Sequence, residues 1–209
     1  MTKRIVFQGD SITDVGRSHE YNYLLGSGYP TLVSAQLGFD APRQYECFNR
    51  GVSGNRIVDL YARWRIDCIN LKPDIISILI GINDVWHDLD GRLNGVEAER
   101  FERVYDMLMD YTREQLPNAR VIILEPFCLH GTATDKEWTY FSHEVPLRAE
   151  AAGRVAARHG AIFIPLQNDF TAACDIAPAS YWLFDGVHPK PAGHELIARK
   201  LCAAIRALE

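Results

Sequence analysis

Residues 74–80 read DIISILI, an almost unbroken apolar run rich in β-branched isoleucine, and the run stops at Gly81. A short run of this kind, bounded by Gly and Pro, is typical of a strand that is buried on both faces of a parallel sheet. Outward from it, further apolar runs lie at residues 4–8, 45–48, 120–124 and 161–164. These segments predict five strands.

Helical patterns separate the predicted strands. They cover residues 29–37, 57–70, 96–115, 141–159 and 191–208. Gly160 suits the C-cap of the fourth helix, and Pro191 suits the first turn of the last one. Alternation of strand and helix along the whole chain indicates an α/β sandwich. The sequence has no internal repeat, low-complexity tract or linker, so residues 1–209 are predicted to form a single domain.

The bulk composition is that of a soluble globular protein, with 47% hydrophobic and 23% charged residues. A net charge of -5 provides no electrostatic footprint for nucleic acid or an anionic membrane, so neither is expected as a partner. No apolar stretch reaches the roughly 18 residues of a membrane span, and the first run is too short for a signal peptide. We therefore expect a cytoplasmic protein. The 5 cysteines are scattered and form no C-x-x-C pair, which indicates reduced core residues rather than disulfides or a zinc site.

Polar segments follow the predicted strands, at the edge where sheets of this type form their sites. Residues 9–11 read GDS after the first strand, residues 51–55 read GVSGN after the second, and residues 81–84 read GIND after the third. Residues 185–189 read DGVHP and precede the last helix. This last segment can fold back over the same edge, so we expect all four segments to meet there.

Two of these segments supply the residues needed for nucleophilic catalysis. Ser11 provides a hydroxyl, His188 a base and Asp185 an acid that orients the base. Asp185 lies three residues before His188, so a single turn can bring its carboxylate to the imidazole Nδ1. Taken separately, the segments also fit a turn with a capping serine and a loop salt pair at the start of a helix.

The other two segments supply donors for a developing oxyanion. Gly54 lacks a side chain and lets its backbone approach a ligand closely, and Asn83 offers two amide protons just past a strand end. Each also fits a simpler role, as part of a tight turn or as a helix cap. The coincidence of four such elements at successive strand ends favours the catalytic interpretation.

The four segments, GDSI at residues 9–12, GVSGN, GIND and DGVHP, resemble the signature blocks of the SGNH, or GDSL-type, hydrolases in the family's order. The resemblance implies Ser11 as nucleophile, His188 as base and Asp185 as its partner. It implies an oxyanion hole formed by the Ser11 N–H, the Gly54 N–H and the Asn83 side chain, with no metal and no cofactor. The fold it implies is a flavodoxin-like three-layer α/β/α sandwich with five parallel strands. Ile12 replaces the family's leucine, a change that preserves volume.

Longer stretches, residues 9–17, 49–55 and 81–86, resemble the intracellular acetyl-xylooligosaccharide esterases of that family. This implies a serine esterase that removes acetyl groups from xylose-type sugars or oligosaccharides. Three alternatives stay open at this point. The site could act on lysophospholipids, thioesters or aryl esters, or the chain could be a binding module without catalysis. It could also be a metal-dependent phosphoesterase, with ligands from Asp10, Asn83, Asp185 and His188.

Further residues are candidates for contact with the substrate. Trp86 and Trp182 flank the catalytic segments and could wall off a small acyl pocket or stack on a sugar, although ordinary aromatic packing is the competing interpretation. Asp10 and Arg56 are predicted as substrate contacts, with an exposed helix-start arginine as the alternative for Arg56. His194 is expected to be structural. The predicted partner is a small-molecule or oligosaccharide ester, and homo-oligomerisation is left open.

Overall fold

The computed structural model describes residues 2–89, 91 and 93–208. Its centre is a parallel sheet of five strands in the order β2-β1-β3-β4-β5, which is the flavodoxin-like order. The strands are β1 (Lys3–Gly9), β2 (Tyr45–Asn49), β3 (Ile75–Leu79), β4 (Arg120–Leu124) and β5 (Ile162–Ile164). Helices flank the sheet, so the predicted three-layer α/β/α sandwich with five parallel strands is confirmed.

The central strand is apolar because both of its faces are covered. Every residue of β3 is buried, and the strand pairs in parallel with β1 on one side and β4 on the other. Side chains on the two faces of the sheet pack into two separate hydrophobic cores. Phe7 and Leu79 belong to the core shared with Tyr29 and Ile197 from the helices on one face. The second core joins the other face to a different set of helices and includes Trp64, Ile78, Tyr105 and Val155.

The helices in the described part of the chain are α1 (Ser11–Asp14), α2 (Tyr29–Asp40), α3 (Ile57–Asp67), α4 (Ile82–Trp86), α5 (Ala98–Gln115), α6 (Trp138–His159), α7 (Gln167–Ala173), α8 (Ala179–Trp182) and α9 (Pro191–Arg206). The five predicted helices are α2, α3, α5, α6 and α9. The helix expected over residues 57–70 ends at Asp67, where a separate 3₁₀ turn follows, and the one expected from residue 141 begins at Trp138. None of the described helices is long and apolar enough to cross a membrane.

Sharp turns at two glycines place short helices directly after β1 and β3. A Cβ atom on Gly9 would lie 2.4 Å from the Leu79 carbonyl oxygen, so only glycine lets β1 turn there without moving its neighbour. Gly81 has a φ of 134°, a value that side chains disfavour. A helix therefore begins within one or two residues of each glycine. Ser11 and Asn83 lie in the first turn of the helices that follow, α1 and α4.

Candidate active site

A chain of hydrogen bonds connects Ser11, His188 and Asp185. The Ser11 Oγ lies 2.9 Å from the His188 Nε2, although the two residues are 177 positions apart. The His188 Nδ1 lies 2.8 Å from the Asp185 Oδ2. The structure thus brings together three residues that the motifs single out, and it orders them as hydroxyl, imidazole and carboxylate. Such an arrangement can transfer the hydroxyl proton to the imidazole.

The local electrostatics suit that transfer. Burial works to raise the pKa of Asp185, but hydrogen bonds from the His188 ring and from the backbone N–H groups of His188 and Val187 hold it below its usual value. The hydrogen bond to Asp185 raises the pKa of His188, against the effect of partial burial. The carboxylate therefore stays ionised near neutral pH, and it favours the imidazolium that forms when the Ser11 proton is taken.

Asp10 directly precedes Ser11 and is the N-cap residue of α1. Its Oδ1 accepts the Ile12 N–H at 2.9 Å, which caps this short helix. The carboxyl group is only 1% exposed, and burial raises its pKa to about 7. The cap accounts for one of the two carboxylate oxygens of Asp10. The predicted contact between Asp10 and substrate stays a prediction.

Gly54 and Asn83 are neighbours through the residue that follows Gly54. The Asn83 Nδ2 donates a hydrogen bond to the Asn55 carbonyl oxygen at 3.1 Å. This bond uses one of the two amide protons and fixes the plane of the amide. Gly54 has a φ of 81°, and a Cβ atom there would point into open space. The structure thus places a main-chain turn and a side-chain amide together, both of which can serve a developing oxyanion.

A set of polar contacts, which the sequence analysis did not assign, fastens α1 to the loop after β2. The Asp14 Oδ2 accepts hydrogen bonds from the Ser53 N–H at 3.0 Å and from the Ser53 Oγ at 2.9 Å. The buried Arg17 Nε donates to the Gly51 carbonyl oxygen at 2.6 Å. These bonds hold the helix that carries Ser11 against the turn that carries Gly54. The extended similarity over residues 9–17 and 49–55 was the available signal.

The two tryptophans predicted to flank the site lie in different surroundings. The Trp86 ring is 5.9 Å from the His188 ring, centroid to centroid, and makes an edge-to-face contact with Phe141. The Trp182 indole N–H points instead to the carbonyl oxygens of Ala173 and Ala177, at 2.9 and 3.1 Å. Trp86 therefore borders the site, whereas the Trp182 indole joins α8 to the end of α7.

Arg56 is engaged in an ion pair at the start of α3. Its Nε and Nη2 bind the two carboxylate oxygens of Asp59 at 2.9 and 3.1 Å, and its Nη1 donates to the Asn94 carbonyl oxygen. All three nitrogen atoms of the Arg56 guanidinium thus donate to oxygen atoms of the protein itself. Arg56 does lie at the start of α3, but its side chain is partly buried rather than exposed as the alternative had it. The predicted contact with substrate stays a prediction.

A second buried carboxyl group, Asp84, was also missed. Both of its oxygens accept the Ile57 N–H, at 3.0 and 3.3 Å, and burial raises its pKa to about 8. It links α4 to the first residue of α3. Among the residues that the structure describes, no three His, Cys, Asp or Glu side chains are grouped so that they could hold a metal ion. The proposed metal ligands are instead bonded within the protein, Asp185 to His188 and Asp10 to the backbone of α1.

Comparison with known proteins decides the family. Residues 7–196 match the model of the GDSL-like Lipase/Acylhydrolase family. The chain belongs to this family. The matched segment contains Ser11, Gly54, Asn83, Asp185 and His188, so the family assignment covers the whole candidate site. This GDSL-like protein is accordingly a carboxylic ester hydrolase, as the motifs predict.

Several relatives of this GDSL-like hydrolase are acetylxylan esterases. The chain is 31% identical to an acetylxylan esterase of Geobacillus stearothermophilus over 205 residues, which are 94% of this chain and 91% of the relative. A crystal structure of that bacterium's acetylxylan esterase Axe2, in a catalytic mutant, superposes with a TM-score of 0.87 at 29% identity, over 98% of this chain and 95% of the other. Other catalytic mutants of Axe2 replace a serine or a histidine by alanine.

Two further solved structures are similar over their whole length. A protein of Parabacteroides merdae assigned as a GDSL-like lipase has a TM-score of 0.92 and 38% identity, covering 100% of this chain and 98% of the other. LAE5, an alpha/beta hydrolase enzyme from the metagenome of Lake Arreo, has a TM-score of 0.86 and 32% identity with the same coverage. The fold is therefore shared by a GDSL-like lipase, an alpha/beta hydrolase and an acetylxylan esterase. Family membership by itself does not determine the substrate.

Proposed function

We propose that this GDSL-like hydrolase is a serine esterase that removes acetyl groups from xylose-type sugars or oligosaccharides, through an acyl-enzyme on Ser11. The observation that carries the proposal is the hydrogen-bonded chain from Ser11 through His188 to Asp185. The similarity to an acetylxylan esterase along nearly the whole chain supports the choice of acyl group and of sugar.

In the first half of the reaction, the Ser11 Oγ attacks the ester carbonyl carbon while the His188 Nε2 takes its proton. Asp185 stabilises the resulting imidazolium through the Nδ1 hydrogen bond. The negative charge on the carbonyl oxygen is stabilised by the Ser11 N–H, the Gly54 N–H and the free amide proton of Asn83. When the tetrahedral intermediate collapses, His188 gives its proton to the sugar oxygen, the ester bond breaks, and acetyl stays on Ser11.

In the second half, His188 takes a proton from a water molecule, and the hydroxide attacks the acetyl carbonyl carbon. The same donors stabilise the second oxyanion. Collapse returns the proton from His188 to the Ser11 Oγ and releases acetate. Every proton that leaves Ser11 or water in this sequence passes through His188. The raised pKa of His188 suits this double use, since the imidazole must both accept and return a proton.

Aromatic rings around the site support a small acyl group and a sugar. Trp86 lies beside His188 and limits the space on that side. Phe184 directly precedes Asp185 and is 71% exposed. An exposed aromatic ring offers an apolar face to the C–H groups of a sugar, and the hydroxyl groups of that sugar stay in water.

Covalent labelling tests the role of Ser11. A fluorophosphonate probe should modify the wild-type protein at Ser11, and Ser11→Ala should neither react nor hydrolyse 4-nitrophenyl acetate. Ser142→Ala is a matched control, because Ser142 is exposed on α6 and its hydroxyl donates within the helix to the Thr139 carbonyl oxygen. Labelling that persists in Ser11→Ala would show that another residue is the nucleophile.

A substrate panel tests the acyl group and the sugar. A filled pocket penalises extra methylenes by about 1–3 kcal/mol, so acetyl esters should be hydrolysed more than tenfold faster than octanoyl esters. Acetylated xylooligosaccharides should release acetate, measured with an enzymatic acetate assay. Preference for long chains, together with no acetate from the acetylated sugars, would contradict the sugar deacetylase while leaving the serine esterase intact.

A further inference from the structure

The Asp185 carboxylate lies on a segment without regular secondary structure, so something else must hold its backbone. Two main-chain donors come from the segment after β4. The Ala133 N–H donates to the Asp185 carbonyl oxygen and the Leu129 N–H donates to the Gly186 carbonyl oxygen, both at 2.9 Å. We call residues 129–134 the clasp. It holds the two peptide units that flank the Gly186 Cα, the first of which joins Asp185 to Gly186.

The two backbones approach so closely that each needs a glycine. A Cβ atom on Gly131 would lie 2.3 Å from the Asp185 carbonyl carbon and 2.4 Å from the Gly186 nitrogen. A Cβ atom on Gly186, whose φ is 100°, would lie 2.6 Å from the Leu129 carbonyl oxygen. The contact is backbone against backbone, which no rotamer change can relieve. The position of the clasp therefore determines the position of Asp185.

A single side chain closes the clasp. Thr134 is fully buried, and its Oγ1 donates to the Leu129 carbonyl oxygen at 2.6 Å. The Thr134 Oγ1 also lies against Gly186, since a Cβ atom on that glycine would be 2.5 Å from it. Thr134 thus joins the two ends of the clasp and also packs on the residue after Asp185.

We propose that Thr134 is a positioning residue, whose hydroxyl closes the clasp that holds the Asp185 carboxylate at the His188 Nδ1. This inference rests on the proposed roles of Ser11, His188 and Asp185. Without the hydroxyl, the Leu129 carbonyl oxygen loses a buried donor and the clasp relaxes, so the carboxylate moves relative to the imidazole. Displacements of about 1 Å in a reacting geometry cost up to roughly a hundredfold in rate.

The test compares Thr134→Val, which keeps the shape and loses the hydroxyl, with Thr134→Ser, which keeps the hydroxyl. Thr134→Val should lower kcat for 4-nitrophenyl acetate by about ten- to a hundredfold with little change in KM, because the loss lies in proton transfer. Thr134→Ser should retain most of the wild-type kcat. Should Thr134→Val fail to fold, Thr134→Ala takes its place.

The pH profile separates positioning from simple loss of stability. A weaker hydrogen bond to Asp185 lowers the pKa of His188, so the acid limb of kcat/KM should move to lower pH in Thr134→Val. The other titratable groups that influence or are influenced by His188 are Asp10, before α1, and His194, on α9, and neither is altered by the variant. Thr112→Val is the control for loss of a buried threonine hydroxyl, because Thr112 is also buried and donates to a carbonyl oxygen at 2.7 Å, in α5, while it also accepts the Trp64 indole N–H. It should lower the melting temperature without moving kcat or the acid limb.

Three results would overturn the proposal. They are wild-type kcat in Thr134→Val, equal losses in the valine and serine variants, and a loss of kcat with an unmoved acid limb. Ser11→Ala in the same assay keeps this separate from the proposed function. If Ser11→Ala remains active, the catalytic assignment fails, whereas inactive Ser11→Ala with a normal Thr134→Val removes only the role of Thr134.

Discussion

Asn83 has one amide proton committed to the Asn55 carbonyl oxygen and a second that can serve the substrate. Asn83→Ala should lower kcat by about a hundred- to a thousandfold, the usual effect of removing one oxyanion donor. KM should change little, because the negative charge appears only in the transition state. Steady-state kinetics with 4-nitrophenyl acetate checks this, with Asn70→Ala, an exposed asparagine, as the control. An increase in KM at unchanged kcat would instead assign Asn83 to ground-state binding.

Asp185 makes a different prediction, because its charge acts through His188. Asp185→Asn should lower kcat by up to about ten-thousandfold, since the amide no longer selects the correct tautomer. The hydrogen bond to Asp185 raises the pKa of His188, and the base works only when neutral. Loss of the carboxylate lowers that pKa, so the acid limb of kcat/KM should shift to lower pH. Near-normal rates in Asp185→Asn would transfer the orienting role to another group.

Single residues differ in how far their surroundings can be predicted from sequence. Ser11, Asp185 and His188 come together as the motifs predict, with Ser11 directly after β1 and the other two on the segment before α9. Asp10, Arg56 and Trp182 were harder, since each has two uses that look alike in sequence. Asp10 caps α1, and Arg56 forms an ion pair with Asp59. The Trp182 indole N–H donates to the carbonyl oxygens of Ala173 and Ala177. Only the packed neighbours decide between the uses.

Between elements, α9 is fastened to α2 by a histidine that must remain neutral. The His194 Nδ1 accepts the Tyr29 N–H at 3.2 Å, and burial lowers the pKa of His194 to about 4. The unfolded chain binds a proton near pH 6.5, whereas the folded chain does so only near pH 4, so stability should fall as pH drops through that window. By this linkage, moving from pH 7 to pH 5 should cost about 2 kcal/mol.

Urea unfolding of wild type and His194→Asn at pH 7 and pH 5 measures this cost. The asparagine Oδ1 can accept the Tyr29 N–H but does not titrate, so the variant should lose most of the acid destabilisation that comes from this site. Equal dependence on pH in both proteins would show that His194 is not the group responsible. The expected role of His194 as a structural residue would then need another basis.

Helices and strands could be predicted where the segment is long enough for its hydrophobic pattern to repeat. The apolar runs and the longer helices follow from periodicity, and their ends differ from expectation by only a few residues. The short helices α1, α4, α7 and α8 did not follow, because four to seven residues cannot display a helical period. Two of them, α1 and α4, follow the turns at Gly9 and Gly81. The first turn depends on the close approach of the Leu79 carbonyl oxygen to Gly9, and the second on the positive φ of Gly81. The clasp is similar, since its shape depends on a segment more than 50 residues later in the chain.

At the scale of the whole molecule, the parallel order of the sheet was expected from strand and helix alternation together with the family resemblance. What the sequence could not supply is the interior polar scaffold. Asp14 with Ser53, Arg17 with Gly51, and Asp84 with Ile57 each join segments that are adjacent only after folding. A buried polar group needs a partner, but nothing in a single sequence says which distant group provides it.

The separation of Ser11 and His188 by 177 positions also has a consequence for biosynthesis. Chains grow from the amino terminus, and the first strand and Ser11 leave the ribosome long before the segment that carries His188. The hydroxyl then has no base within reach. On the proposed mechanism, a chain that lacks His188 should not hydrolyse esters, and a refolding chain should gain activity only after its two ends have met, which is a slow, non-local step. Hydrolysis should therefore report completion of the fold, later than compaction or helix formation does.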